Sequence, residues 1–156
     1  MLVPGLSSVG YKIVLVLHIV FVVVAFGGLF ATPMLARAGR TADSGAAIAG
    51  GTVDYLKRIA IPCLLLAGIF GIGLVSMSKP DVPGATAMWK FDQGWVMAAV
   101  VLWLVQVGIF LALLLPAERK LAGGDESAAK RVPMFTGILH LLLLVLLYLM
   151  VFKPGI

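Results

Sequence analysis

Four long apolar runs restrict this chain more than any other feature. They cover residues 13–32, 59–77, 95–115 and 134–152. Each has about 20 residues, which at about 1.5 Å per helical residue matches the roughly 30 Å hydrocarbon layer of a bilayer. A backbone in hydrocarbon must satisfy its own hydrogen bonds, so each run predicts a membrane-spanning α-helix. The connections are too short to form a separate soluble domain. The sequence therefore predicts an all-α polytopic membrane protein, one domain over residues 1–156 built as an antiparallel bundle of four transmembrane helices. Composition agrees, with 62% hydrophobic residues against 12% charged and a mean hydropathy of +1.11. That is too little charge to cover a water-exposed surface. The first run is longer than a signal-peptide core and positive charge follows it, so it predicts a retained helix despite the small-residue step Ala36-Arg37-Ala38.

Basic residues set the expected orientation. Arg37, Arg40, Lys57 and Arg58 follow span 1, and Arg119, Lys120, Lys130 and Arg131 follow span 3. Lys12, Lys79, Lys90 and Lys153 lie on the opposite side. The excess of lysine and arginine on the first side predicts that it is cytoplasmic, with both chain termini outside. The net charge of +5 is thus mostly an orientation signal. Its dispersal over loops argues against nucleic acid as a partner and leaves the lipid bilayer as the main one. Pro33 and Pro116 are expected to stop spans 1 and 3, and Pro133 to open span 4 where its missing N–H costs least. The glycines of "DSGAAIAGGTVDYLKR" argue against a long helix before span 2. Turns are expected at Lys79-Pro80-Asp81 and Pro83-Gly84. Trp89, Phe91 and Trp95 read as an interfacial aromatic belt.

Polar residues inside the spans are costly there and each needs a reason. Tyr11, His18, Ala25 and Thr32 recur every seven residues, a spacing that holds them on one face and predicts that this face looks into the bundle. Gly68, Gly71 and Gly73 on span 2 predict close helix approach or room for a flat ligand. Gln106 on span 3 predicts an interhelical hydrogen bond. Thr136 and His140 lie one turn apart on span 4. The lone cysteine, Cys63, excludes an intrachain disulfide and reads as a small buried apolar residue.

Two histidines on two spans suggest b-type haem, since neutral imidazole is a good iron ligand. In antiparallel helices, however, His18 falls in the outer half and His140 in the inner half, about 11 Å apart in depth. With a lateral helix spacing of at least about 8 Å, their Cα atoms are expected about 14 Å apart. Two imidazoles around one metal span roughly 12 Å, so a shared iron would need tilted or kinked helices. Each histidine alone is a candidate cofactor ligand, and each is also a candidate packing group. A copper alternative draws on His18 with the thioethers of Met77 and Met97, near Met88 and Met150. Acid–base and nucleophilic enzymes have little support: the seven acidic residues fall in the connections, and no zinc-protease, phosphate-loop or nucleophile-elbow motif is present. A small transporter would need broken helices and intramembrane charges, which the spans lack.

The steps Leu17-His18-Ile19 and Gly27-Gly28, the segment "LKRIAIPCLLLAGIFGIGL", Gly94-Trp95 and the closing "YLMVFKPG" resemble a family of small bacterial four-helix membrane proteins. That family is similar, more distantly, to the copper-resistance CopD membrane domain and to the HemJ-type protoporphyrinogen oxidase. The resemblance implies a four-helix fold in the bacterial inner membrane and places His18 at the haem-associated histidine of the HemJ type. The lysine that the HemJ type carries after its Gly-Trp corresponds here to Ala99, which removes support for porphyrinogen oxidation; His140 has no counterpart. Two functional expectations follow. One is a protein that binds haem b, or copper, through His18 in a redox or cofactor-handling role. The other is a non-catalytic structural or accessory subunit, a homodimer or part of a larger membrane complex, whose histidines, Gln106 and glycines set helix packing.

Overall fold

A computed structural model of the chain describes residues 8–39, 45–79 and 86–155. The expected turns at Lys79-Pro80-Asp81 and Pro83-Gly84 fall largely outside these residues. Six α-helices make up the four spans. The first, α1 (Val9–Gly39), is one helix; α2 (Gly45–Tyr55) runs through a π turn at Leu56–Ala60 into α3 (Ile61–Ser76). The third span is α4 (Gly94–Ile109), a π turn at Phe110–Leu114, and α5 (Leu115–Ala122). A 3₁₀ turn at Glu126–Lys130 then leads into α6 (Arg131–Phe152). All four composite helices are long and apolar enough to cross a membrane. Among the described residues there is no β-strand.

Helices run past the points where proline was expected to end them. Pro33 lies inside α1, which continues to Gly39. Pro62 and Pro116 each sit two residues beyond a π turn. A proline ring lacks an N–H and collides with the carbonyl four residues back, here that of Arg58 or Ala112. Widening the preceding turn relieves this: Ile61 N–H bonds Leu56 O and Leu115 N–H bonds Phe110 O, both five residues back. The helix absorbs an extra residue and continues, so the backbone groups around the proline stay largely paired within it. The glycine-bearing segment before span 2 is likewise helical, as α2. It is held from outside by packing against α5 and α1, which outweighs its weak helix propensity.

The packing order is a closed ring. α1 lies along α3 most extensively and also touches α6; α6 lies along α4, and α4 returns to α3. The main apolar core, including Phe26, Leu29, Leu56, Leu64, Phe110, Leu114, Val132 and Leu139, occupies the half of the bundle nearer the basic connections. Phe26 meets Phe110 edge to face at 5.7 Å. The opposite end is closed by a short polar structure: Ser78 is fully buried, its hydroxyl accepts from Trp89 N at 2.9 Å and donates to Val75 O at 2.7 Å. Trp89 and Trp95 pack at right angles there, and Lys153 Nζ lies 4.0 Å from the Trp89 ring centre. Trp95 is therefore buried, not part of a lipid-facing belt; Phe91 is exposed as a belt residue would be.

Candidate functional site

The seven-residue stripe on α1 faces inward as its spacing predicts: Ala25 and Thr32 are buried, and Tyr11 and His18 half-buried. His18 Nδ1 lies 2.8 Å from Ala67 O on α3. A carbonyl can only accept, so Nδ1 is the nitrogen that donates. The ring fits against Gly71, where an added Cβ would come within 3.1 Å of His18 Cε1.

Two further rings repeat this arrangement. Trp103 Nε1 donates to Leu64 O at 2.9 Å, and its indole fills the space a Cβ on Gly68 would need. The Tyr55 hydroxyl donates to Val24 O at 2.6 Å and accepts from Gly28 N at 3.0 Å, with its ring where a Gly28 Cβ would lie. In every case the glycine is four residues after the accepting carbonyl: 67 and 71, 64 and 68, 24 and 28. The geometry follows from the helix. A Cβ leans toward the N-terminus, so the side chain at i+4 covers the carbonyl at i. Glycine at i+4 uncovers that oxygen's second lone pair and lets a donor ring approach. Gly73 is different: an added Cβ would meet Val14 at an ordinary contact distance of 3.8 Å.

The other expected site residues separate. His140 is half-buried on α6 and stacks on Phe30 of α1 with ring centres 4.1 Å apart. Phe30 is twelve residues beyond His18, about 18 Å along the helix, so the two imidazoles work at different depths. Met77 lies against Gly10, about 12 Å along α1 from His18, and Met97 is exposed on α4. Among the described residues, no three His, Cys, Asp or Glu side chains are placed to share a metal. Thr136 is buried but bonds its own helix, donating to Val132 O at 2.9 Å. Gln106 is 1% exposed and its Nε2 has no partner, so that nitrogen does not supply the interhelical bond expected of Gln106. The nitrogen lies on a face otherwise built of Trp95, Ala99 and Phe110. Cys63 is half-buried with a free thiol.

Two acidic residues expected in loops are on helices. Asp54 on α2 is exposed and pairs with Arg58 at 3.8 Å. Glu118 on α5 is 1% exposed, and its Oε1 has no hydrogen-bond partner. Sequence reasoning had also passed over Tyr55 and Trp103. The signal for both is a donor ring elsewhere in the chain and a glycine in a span; nothing in one sequence pairs the two.

Fold and site together define a bundle of four helices, each long and apolar enough to cross a membrane, fastened by polar rings seated on glycines. No family model matches the chain, and the curated proteins and solved structures compared with it yield no match.

Proposed function

We propose that this chain is a non-catalytic membrane subunit, a rigid four-helix module that acts by associating with a second copy or another membrane protein. One observation carries the reading: the inward donor rings of His18, Tyr55 and Trp103 are each spent on fastening one helix to the backbone of another. The outer surface supports it. Ile19, Val23, Leu141, Leu144 and Val151 are all exposed apolar residues, a covering suited to lipid and to lateral helix contacts. The lysine and arginine bias would put the connections after spans 1 and 3 in the cytoplasm. The test is purification in mild detergent, with haem supplied during expression, followed by absorption spectroscopy and molar-mass measurement. A colourless protein in an assembly larger than the monomer supports the reading. A colourless monomer, or a Soret band that vanishes in His18→Ala, contradicts it.

A second reading keeps haem, through His18 alone. It is favoured by the Nδ1 contact to Ala67 O, because a backbone acceptor of this kind holds an imidazole with Nε2 free to ligate. His140 would take no part.

A further inference from the structure

The π turn at Phe110–Leu114 determines where Glu118 faces. In an unbroken α-helix Glu118 would lie about 120° around from Gln106, and on the far side of the helix from the core; absorbing one extra residue reduces this to about 20°. Glu118 is accordingly 1% exposed, on the same inward face as Trp95, Ala99, Gln106 and Phe110. α5 packs chiefly on α2, with smaller contacts to the π turn, the 3₁₀ turn and α6. Ala49 and Val53 are the buried residues of α2, and Ala128 and Val132 are buried nearby in the chain.

Among the described residues, the charged groups of these elements do not pair with the carboxyl. On α2, Asp54 is exposed and paired with Arg58, and the Tyr55 hydroxyl is engaged by α1. The π turn carries no titratable group. Lys130 of the 3₁₀ turn, Arg131 of α6, and Arg119 and Lys120 of α5 are exposed, and His140 stacks on Phe30. Among the described residues none of these forms an ion pair with Glu118, and its Oε1 has no hydrogen-bond partner. With Oε1 buried and given no donor, the ionised carboxylate is costlier there than the neutral acid.

We propose that Glu118 is a proton-binding site coupled to the docking of α2 on α5. With α2 in place the carboxyl is the neutral acid. When α2 lifts, water reaches it, the O–H bond breaks, the electron pair stays on the carboxylate and the proton passes to water. The anion then opposes redocking.

The test uses the full chain in lipid and two measurements over a series from mildly acidic to alkaline pH. Infrared spectroscopy reads the carbonyl stretch of a protonated carboxylic acid, assigned by its loss in Glu118→Gln. Hydrogen exchange, corrected for the intrinsic pH dependence, reads the protection of the α2 amides. Expected are a protonated-acid band at neutral pH that disappears at alkaline pH, and a parallel loss of α2 protection of about tenfold or more. In Glu118→Gln, a neutral isostere, protection should persist across the series. Absence of the band at neutral pH, meaning an ionised Glu118 held by a cation, overturns the proposal without help from any variant. So does α2 protection that follows the same course in wild type and Glu118→Gln. Neither result depends on whether the chain is an accessory subunit.

Discussion

A methyl group on Gly68 or Gly28 would occupy the space of the Trp103 or Tyr55 ring. Each ring is held by a backbone bond and by neighbouring side chains, so neither can move without losing both. Gly68→Ala and Gly28→Ala should each destabilise the bundle by about 1–3 kcal/mol, the usual cost of overpacking, read as a lower unfolding midpoint in detergent. Gly73→Ala, with Val14 at ordinary contact distance, should cost much less and serves as the control. Trp103→Phe keeps most of the ring and removes only the Nε1 bond to Leu64 O. Its expected cost is about 0.6–2 kcal/mol, the range for polar contacts between membrane helices. At this scale the sequence was legible where one helix sufficed: the inward face of His18 and Thr32 followed from spacing alone. The partners of Gly68 and Gly28 did not, because a single sequence gives the phase of each helix but not the register between two. Gln106 shows the same limit, since its inward position was readable and its lack of a partner for Nε2 was not.

Between elements, the π turns explain why proline was misleading. Proline is a reliable stop where the chain can leave the helix, whereas at Pro62 and Pro116 the chain retains a helix by widening one turn. The boundaries therefore ran longer than the apolar runs suggested, and Glu118, expected in a loop, was carried onto a buried helical face. Removing the cause should make the extra residue unnecessary. Deleting Ala112 in a Pro116→Ala background should leave α4 and α5 in phase as one α-helix and retain a folded protein. Deleting Val101 from uninterrupted α4 shifts the residues on one side of the cut by about 100° relative to the rest, and it should abolish the folded state; size-exclusion profiles in detergent distinguish the two. The 3₁₀ turn offers a pH-dependent counterpart. Asp125 accepts from Ser127 N at 2.9 Å, and hydrogen bonds from Ser127 hold its carboxyl below the usual range. A folded-state value lower than the unfolded one stabilises the turn above the unfolded pKa, and that contribution is lost as pH falls through the folded value. Exchange of the amides of this turn should therefore quicken in acid beyond its intrinsic pH dependence in wild type, and not in Asp125→Asn.

For the whole molecule, the four-span architecture was the most legible feature because it rests on length and hydropathy. How the spans are joined was less so. The ring of helices is tied by donor rings in its interior and closed at one end by Ser78, Trp89, Trp95 and Lys153, residues scattered from the second connection to the chain's last helix. Lys153→Met should disturb that end, seen as a change in tryptophan emission, while leaving the α1–α3 contact intact. The bond from His18 to Ala67 O fastens α1 to α3, and nitrogen NMR of the imidazoles reads it, with the signals of the two histidines separated by His140→Ala. The expected result is a His18 ring protonated and hydrogen-bonded at Nδ1. A ring with no proton on Nδ1, or with a proton there that is not hydrogen-bonded, would contradict the attachment.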